Sequence, residues 1–555
     1  MRQAIPNDIE RQVFDLIVIG AGINGAGIAR DAAMRGLRPL LLDKGDIASG
    51  TTSWSSRLIH GGLRYLEHRE IRLVRESLRE RERLLRNAPH LVRPLPLVIP
   101  IYDGNRRGPR LIRAGMIAYD LLSFDKSLPR HRMWERDETL RRLPGLNPRG
   151  LRGAAIYYDA QATFAERLAV ENVLSAEEHG ARIITYAHVD QFVSEAQQVR
   201  GVEVTDLLSG ETFRASAEIV VNVAGPWVDT VLHGAGRPVE RLIGGTKGSH
   251  LVVDHFPSAP AYPLYYEARE DHRAVLIVPW NGRYLIGSTD TRYEGDLDDV
   301  RTDEAEIGYL LHEVNQVIPE AGLQRNDVLY AYAGVRPLPY QPSGSEATIS
   351  RDHAIVDHAP AMRGALSITG GKLTTYRALA EHTVDAVYQR LQIKAPPCET
   401  ARLPLPGAAG VAFPAFRRKF IADCGLPERS AARLVDLYGV RARLVLALAD
   451  ESPDLREPFD PETGAIGAEI VMSVRHEFAE TLADVLLRRT MVGLEPGVGV
   501  GADQAAVRVA ERHLGWDRER ASREVASYRA HILRFLPRSL APAAPTPPAP
   551  PGLMP

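Results

Sequence analysis

Three glycines near the N-terminus have the spacing that binds the phosphates of a dinucleotide. Gly20, Gly22 and Gly25 occupy the glycine positions of the pattern G-x-G-x-x-G. The first glycine of this pattern permits a tight turn, the second lets phosphate approach the backbone, and the third lets a helix pack closely on a strand. Asp43 lies eighteen residues after Gly25, where a carboxylate accepts hydrogen bonds from ribose hydroxyls and repels the extra phosphate of NADP. These residues predict a dinucleotide site.

The elements that position these residues flank the glycines. Phe14 to Ile19 is an apolar run of buried-strand length, and a second apolar run, Leu40 to Leu42, ends at Asp43. A helix between the two runs directs its free N–H groups at a pyrophosphate. The order of strand, glycine turn, helix, strand and acid predicts an α/β unit of Rossmann type.

Later segments are predicted to return to this unit or to form further domains. Ala181 to Val193 and Ile219 to Val223 are strand-like, and a strand also precedes the double glycine at 370–371. The region 240–355 is rich in strand-like runs and contains one predicted helix, Thr302 to Pro319, with Thr302 as its N-cap. Helical segments follow, one of them AEIVMSVRHEFAETLADVLLRRT. The predicted domains are a discontinuous nucleotide-binding domain (12–100, 155–240 and 355–395), an inserted α+β substrate domain (240–355, to which 100–154 can be added), a helical cap domain (400–540) and a disordered proline-rich tail (541–555).

Composition excludes several classes of protein. The chain has 555 residues, of which 45% are hydrophobic and 25% charged, with a net charge of −2 that gives no general attraction to nucleic acid. Its two cysteines lack metal-like spacing, so neither a disulfide framework nor a metal site is expected. No run has the length of a membrane span, and the N-terminus has no signal-peptide pattern, so a cytoplasmic protein is expected.

Several longer strings, in order over residues 14 to about 390, resemble one enzyme family. They are GTTSWSSRLIHGGLRYLEHREIRLVRESLRERERLL, VAGPWVD, GSHLVV, IGSTDTRYEGD, GVRPL and GGKLTTYR. The chain resembles the FAD-dependent glycerol-3-phosphate dehydrogenases, and DVLLRRT resembles the C-terminal cap of that family. The resemblance implies FAD, oxidation of glycerol 3-phosphate to dihydroxyacetone phosphate by hydride transfer to flavin N5, a quinone acceptor and peripheral attachment to the cytoplasmic membrane. A homodimer is a further expectation.

The expected cofactor site combines the glycine motif with the segments that resemble the family. Hydroxyls between Thr51 and Ser56 suit the pyrophosphate and ribityl chain, and a helix predicted to start near Leu373 directs its N-terminus at the flavin. The expected cofactor residues are Gly20, Gly22, Ile23, Asn24, Gly25, Asp43, Thr51, Thr52, Ser53, Ser56, His60, Gly61, Gly62, Val189, Ala224, Gly225, Gly371, Lys372, Leu373 and Thr374.

The substrate implied by the resemblance carries a dianionic phosphate and a secondary alcohol. Arginine binds two phosphate oxygens at once, and a lysine adds a point charge. The expected substrate residues are Arg64, Tyr65, Arg336, Arg351 and Lys372. Hydride removal also needs a base for the hydroxyl proton, a task that suits histidine. The expected catalytic residues are His250 as the first choice of base, His60 as the second, and Arg336 to orient the substrate or stabilise the alkoxide.

Other segments leave their interpretation open. The string HEFAE at 476–480 has glutamate where a zinc signature has its second histidine, so a helix surface is expected there. Residues 105–124 join four arginines to an apolar stretch, as in an interfacial helix, although a core helix fits equally well. The alternatives for function are an oxidase that passes electrons to oxygen, a flavin amine oxidase and a non-catalytic flavoprotein scaffold. No site residue is predicted in the helical domain.

Overall fold

The strand that carries the glycine turn lies in the interior of a parallel sheet. A computed structural model of the chain describes residues 8–67, 70–236, 240–342 and 349–540, so the predicted disordered tail lies outside the described residues. The first strand is fully buried at Leu16, Ile17 and Val18, which explains its nearly continuous apolar sequence. The first helix is rich in alanine and glycine, and these small side chains let it pack closely in the interior.

Eight of the described strands form this first sheet. Its order is β17–β18–β10–β1–β2–β7, with β9 on β10 and β8 on β9. The pairs that join β18, β10, β1, β2 and β7 are parallel, while β17, β9 and β8 are added antiparallel. The strands are β1 (Val13–Ile19), β2 (Pro39–Leu42), β7 (Arg182–Ile184), β8 (Ala187–Glu195), β9 (Gln198–Asp206), β10 (Thr212–Asn222), β17 (Ala354–Asp357) and β18 (Ala365–Thr369).

Ten described strands form a second, mainly antiparallel sheet. Its order is β15–β11–β14–β13–β12–β4–β6–β3, with β16 on β11 and β5 on β6. The strands are β3 (Leu58–Ile59), β4 (Val92–Tyr102), β5 (Arg132–Glu135), β6 (Leu151–Ala162), β11 (Thr246–Val253), β12 (Leu264–Glu267), β13 (Ala274–Trp280), β14 (Arg283–Gly287), β15 (Thr291–Arg292) and β16 (Val328–Arg336). The expected domain boundaries at residues 100 and 155 fall inside β4 and β6, which pair with each other in this sheet.

Helices cover both sheets and make up most of the C-terminal region. Those before residue 400 are α1 (Ile23–Met34), α2 (Ile71–Asn87), α3 (Pro109–Leu122), α4 (Arg136–Arg142), α5 (Ala165–Glu178), α6 (Val228–His233), α7 (Glu304–Val317) and α8 (Tyr376–Leu391). Those after it are α9 (Phe413–Asp423), α10 (Glu428–Tyr438), α11 (Ala442–Ala449), α12 (Pro453–Arg456), α13 (Gly467–His476), α14 (Leu482–Asp484), α15 (Ala502–His513) and α16 (Arg518–Ile532), with a short hairpin of β19 (Pro458–Asp460) and β20 (Ala465–Ile466). The core of the C-terminal region is continuous with Trp280, Tyr330 and Tyr332 of the second sheet, so the helices pack on that sheet. The predicted fold class is confirmed.

Three predicted helical features differ from the structure. Helix α7 is capped by Asp303 rather than Thr302, because the Asp303 carboxylate accepts the Glu306 N–H and Glu306 accepts the Asp303 N–H. The long helix predicted through HEFAE ends at His476. Glu477 lies in the break and is fully buried, so the expectation of a solvent-facing helix surface there is wrong.

No described helix combines the length and the apolar character needed to cross a bilayer.

Candidate functional site

A cavity of about 650 Å³ lies at the carboxyl ends of the parallel strands. Ligands in open α/β sheets bind in this position. The cavity is bounded by the glycine turn and the segment 43–52, by Ala333 and Val335 of β16, and by the C-terminal helices. The expected cofactor residues that line it are Gly20, Gly22, Ile23, Asn24, Asp43, Thr51, Thr52, Val189, Ala224, Gly225, Gly371, Lys372 and Leu373.

Each motif glycine meets a different constraint. Gly20 has a φ of +113°, and a Cβ there would lie 2.8 Å from the carbonyl oxygen of Val223. A Cβ at Gly25 would lie 1.8 Å from the carbonyl oxygen of Gly20, so this glycine permits the contact between α1 and the turn. At Gly22 the nearest atom to an added Cβ is Thr52 Oγ1, at 3.4 Å. The backbone at Gly22 is therefore open to the cavity, as close approach of a phosphate requires.

Asp43 both lines the cavity and braces the glycine turn. Its carboxylate accepts hydrogen bonds from the backbone N–H of Ala21 at 2.6 Å and of Gly45 at 2.8 Å. Burial raises the pKa of Asp43 above its usual value, although both backbone donors favour the charged form. The carboxylate thus holds the turn in place from the end of β2.

The hydroxyl-rich loop 51–56 lines the cavity with three of its five hydroxyl residues, Thr51, Thr52 and Ser55. Thr52 Oγ1 also accepts the N–H of Ile23 at 3.0 Å. Ser53 and Ser56 do not line it: Ser53 donates to a backbone carbonyl five residues earlier, and Ser56 hydrogen-bonds a histidine of β11.

The segment 60–62 does not line the cavity, and its backbone is fixed by contacts with other parts of the chain. The backbone N–H of His60 donates to Thr374 Oγ1 at 3.0 Å, and that of Gly61 donates to the Tyr119 hydroxyl at 2.9 Å. A Cβ at Gly62 would lie 2.1 Å from the Tyr65 ring. The expected cofactor residues that do not line the cavity are Gly25, Ser53, Ser56, His60, Gly61, Gly62 and Thr374.

The double glycine is followed by a turn before the helix. Helix α8 begins at Tyr376, so the predicted start near Leu373 is wrong by three residues. The N–H of Thr375 donates to the carbonyl of Lys372, which closes the turn. Because of this turn, Lys372, which lines the cavity, lies before the helix rather than within it.

Positively charged side chains gather next to this turn. Arg336 donates to one oxygen of Asp290 at 2.9 Å, and Arg351 donates to the other at 3.1 Å. Lys372 Nζ donates to Ser77 Oγ at 2.7 Å and lies 4.6 Å from the centre of the Tyr65 ring. Burial lowers the pKa of Lys372 to about 8, with Arg351 a smaller cause in the same direction. The side chain of the remaining expected cation, Arg64, lies outside the described part of the structure.

The two candidate bases have different environments. His250 in β11 is 2% exposed, its Nε2 hydrogen-bonds Ser56 Oγ at 2.8 Å, and its ring stacks on Tyr332. Burial, followed by the charges of nearby arginines, lowers the pKa of His250 to about 3. His60 is half-buried, and its ring centre lies 6.4 Å from that of Tyr65.

The C-terminal domain also lines the cavity, at positions for which the sequence predicted no role in the site, although one of them, Arg488, lies in the string DVLLRRT. They are Ala483, Arg488, His531, Arg534 and Phe535. The site further includes Lys44, whose Nζ lies 4.7 Å from the centre of the Trp227 ring and donates to Asp298 at 2.6 Å. These contacts depend on the tertiary fold, since their members come from distant parts of the chain.

Comparison with known proteins agrees with this geometry. Residues 15–377 match the family model of the FAD dependent oxidoreductases, and residues 398–521 match that of the C-terminal domain of alpha-glycerophosphate oxidase. The chain belongs to the FAD-dependent glycerol-3-phosphate dehydrogenase family. A glycerol-3-phosphate dehydrogenase of a Synechocystis strain is 47% identical over 95% of this chain and 97% of its own. One of Mycobacterium leprae is 37% identical over 94% and 88%.

A solved member of the family shares the whole architecture. The glycerol-3-phosphate dehydrogenase from Bacillus halodurans, complexed with FAD, is 30% identical, covers 97% of this chain and 98% of its own, and has a TM-score of 0.79. Like other members of the family, this chain is an enzyme that uses FAD.

The residues around the cavity fit this cofactor. Three buried polar atoms of the wall lack a hydrogen-bond partner within the described residues: Asn24 Oδ1, Trp227 Nε1 and His531 Nε2. Buried polar groups are normally paired, so these atoms suit a ligand with many donors and acceptors. The described residues contain no cluster of side chains suited to hold a metal ion.

Proposed function

We propose that this enzyme oxidises sn-glycerol 3-phosphate to dihydroxyacetone phosphate and passes the electrons to a membrane quinone. The proposal rests above all on the group of cations beside the cavity. Arg336 and Arg351 share one carboxylate, and the charge of Arg351 acts on Lys372, which itself lines the cavity. A phosphate dianion next to the cofactor is the ligand that this charge suits.

The expected cofactor residues form the binding part of the proposal. The backbone at Gly22 is open to the cavity, as a pyrophosphate requires, and Asp43 stands at the end of β2. FAD supplies the acceptor for the hydride when it is bound. The protein therefore has to place the alcohol carbon correctly, exclude water and take up the hydroxyl proton.

As the base that takes up the hydroxyl proton of the substrate, the geometry favours His60 over His250. A base must reach the substrate hydroxyl and hold a proton near neutral pH. The Nε2 of His250 is engaged by Ser56, and its pKa of about 3 makes its ring a weak proton acceptor. His60 is more accessible and lies beside Tyr65, whose ring contacts Lys372. Arg336, which stays charged at any working pH, then orients the substrate or stabilises the alkoxide.

Anaerobic mixing with glycerol 3-phosphate tests the central claim. The yellow absorbance of the oxidised flavin should bleach within a single turnover, with dihydroxyacetone phosphate formed in equal amount. Glycerol, which lacks the phosphate, is the control and should leave the flavin oxidised. A flavin that stays yellow with glycerol 3-phosphate would show that the protein is a scaffold or acts on another substrate.

The electron acceptor is tested separately. Reoxidation by a soluble quinone analogue should exceed reoxidation by air, and little hydrogen peroxide should form. Stoichiometric peroxide in air, with slow reoxidation by quinone, would instead assign the oxidase reaction.

We further propose that α3 docks the protein on an anionic membrane surface. Its inner face buries Ile112, Met116 and Tyr119. Its outer face and the residues after it expose large apolar side chains, namely Leu111, Ile117, Leu121 and Phe124. The last two are 70% and 78% exposed, which is unusual for such residues unless another apolar phase covers them.

The charges around this helix favour anionic lipid as the covering phase. Arg106, Arg110 and Arg113 are exposed and form no salt bridge within the described residues. Arg107 differs, because it is paired with Glu67 and Glu267. Apolar side chains flanked by unpaired cations are typical of helices that lie in the membrane interface.

Vesicle binding tests this assignment. Substitution of Arg110 and Arg113 by Gln should weaken binding to phosphatidylglycerol-containing vesicles by about 2 kcal/mol, roughly 30-fold, since each such cation contributes about 1 kcal/mol. The matched control replaces Arg508 and Arg518, two exposed arginines of the C-terminal domain, by Gln. This double variant should bind the vesicles as the wild type does. Equal binding by both double variants would exclude α3 as the docking element.

A further inference from the structure

The C-terminal helical domain supplies part of the wall of the cofactor cavity. Its contributions come from the segment after α13 and from α16 and the turn that follows it. They are Ala483, Arg488, His531, Arg534 and Phe535. The other walls belong to the nucleotide-binding domain and the second sheet, so the cavity is complete only when this domain is docked.

Arg488 is held in place by two carboxylates and keeps one donor group unused. Its Nε donates to Asp46 at 2.6 Å and its Nη2 to Asp484 at 2.6 Å, and the side chain is 5% exposed. Nη1 has no hydrogen-bond partner among the described residues. Because Arg488 lines the cavity, a fixed guanidinium with a spare donor lies where the cofactor binds.

A local departure from α-helical geometry brings this arginine into place. Residues Val485–Arg489 form a π-helical turn, closed by the N–H of Thr490 on the carbonyl of Val485 at 2.8 Å. Both Arg488 and Arg489 then reach Asp46, although only Arg488 lines the cavity. Such turns are frequent at functional sites.

His531 adds a second unused polar group. Its Nε2 is buried without a partner in the described structure, and the residue lines the cavity. Burial, together with the charges of Arg488 and Arg534, lowers the pKa of His531 to about 3, so the ring is neutral. A neutral imidazole can donate to or accept from a ligand through this nitrogen.

Ring contacts fix this side of the cavity against the second sheet. The centre of the Phe535 ring lies 5.8 Å from that of His531 and 5.1 Å from that of Trp54. Trp54 in turn lies 5.6 Å from Tyr332 of β16. Phe535 and Trp54 both line the cavity, so these contacts join the C-terminal domain to the loop 51–56 and to β16.

We infer that Arg488 and His531 are cofactor-binding residues. Through these two side chains the C-terminal domain helps to retain FAD in the cavity. Arg488 donates from Nη1 to an oxygen of the cofactor, and His531 hydrogen-bonds it through Nε2. This inference rests on the proposed position of FAD in the cavity.

The test measures the Kd of FAD for the deflavinated full-length protein, together with the melting temperature of that apoprotein. Arg488→Lys is compared with Arg489→Lys, because both arginines bind Asp46 but only Arg488 lines the cavity. Arg488→Lys should raise the Kd about tenfold relative to Arg489→Lys, as expected for the loss of a charge-assisted hydrogen bond. Both variants are expected to lower the melting temperature of the apoprotein to a similar extent.

A second pair of variants avoids the buried ion pairs. His531→Phe keeps the ring but removes Nε2, and should raise the Kd about fivefold. The control is Tyr528→Phe, in the same helix as His531 but away from the cavity. It removes the hydrogen bond of 2.6 Å from the Tyr528 hydroxyl to the carbonyl of Val498 and should leave the Kd for FAD within twofold of the wild type. A Gly22→Ala variant reports separately on whether FAD occupies the cavity.

The outcomes separate the two levels of the proposal. If Gly22→Ala weakens FAD binding while His531→Phe does not, or while the two lysine variants have equal Kd values, the inference about the C-terminal domain is wrong. If Gly22→Ala also has no effect, the position of FAD is wrong, and this inference falls with it.

Discussion

Gly22→Ala should separate cofactor binding from folding, because the protein itself leaves room for the added methyl group, whereas a pyrophosphate bound at the turn would meet it. The new Cβ would lie 3.4 Å from Thr52 Oγ1, an ordinary contact distance. Gly22 is the N-cap of α1 with a φ of −65°, which alanine adopts without strain. The weaker capping by alanine and the reduced entropy of the unfolded chain oppose each other, so the free energy of unfolding should change by less than about 1 kcal/mol.

The effect on FAD should be larger. A phosphate that approaches the backbone at Gly22 would meet the methyl group, and overpacking of one such group costs about 1–3 kcal/mol. This range corresponds to a Kd for FAD that is about 5- to 140-fold higher. Gly25→Ala should instead act mainly on stability. Its Cβ would lie 1.8 Å from the carbonyl oxygen of Gly20 and would force α1 away from the turn. We expect a loss of about 3 kcal/mol or more in the stability of the apoprotein.

Thermal melting of the deflavinated proteins and titration with FAD, followed by flavin fluorescence, measure both effects. Gly22→Ala should keep the wild-type melting temperature but have a raised Kd for FAD, whereas Gly25→Ala should have a lowered melting temperature. Wild-type affinity in Gly22→Ala would show that the pyrophosphate does not lie at this turn. Wild-type stability in Gly25→Ala would refute the close contact between helix and turn.

Three further predictions concern charge. Burial lowers the pKa of Lys372 to about 8, so its ammonium group loses charge as the pH rises through 8. The KM for glycerol 3-phosphate should therefore rise about fivefold from pH 8 to 9. Lys372→Arg should remove this rise, because arginine keeps its charge over this range. Glu477→Gln leaves the buried guanidinium of Arg167 without its charged partner and should lower the free energy of unfolding by about 3–5 kcal/mol in a denaturant titration. Glu451→Gln, which removes the exposed ion pair with Arg475, should lower it by less than about 1 kcal/mol. His60→Asn should slow flavin reduction in stopped flow by about 10²-fold or more with FAD still bound; a larger loss in His250→Asn would reverse the assignment of the base.

The nucleotide-binding unit could be predicted because its signals are local. Gly20, Gly22 and Gly25 act through the backbone that they themselves form, and β1 and β2 lie within a residue of the predicted apolar runs. The predicted sheet region between 240 and 355 was less complete, because β4 and β6 join the same sheet from much earlier in the chain. Strand pairing at this separation leaves no pattern in either strand.

The predicted helix boundaries were wrong where more than one side chain could form the cap or where a distant residue ended the helix. Thr302 and Asp303 are both good N-caps by type, and the choice depends on Glu306, which completes a capping box only with Asp303. The break at Glu477 has a tertiary cause, because its carboxylate binds Arg167 of α5, 310 residues earlier. A helical pattern in the sequence contains no trace of that partner.

The same limitation explains why the C-terminal part of the candidate site was not predicted. Asp46 and Arg489 form a buried ion pair across 443 residues of sequence, and nothing in the sequence near either residue indicates that they pair. In the structure, burial alone would raise the pKa of Asp46, but Arg489 and Arg488 lower it below its usual value. Taking these charges out of water is costly, so the network contributes little net stability compared with an apolar contact of the same size. Its value lies in specificity, because an unpaired charge on either side strongly disfavours any other docking of the C-terminal domain. The domain position that satisfies Asp46 is also the one that brings Arg488 to the cofactor cavity, which couples correct assembly of the fold to formation of the complete site.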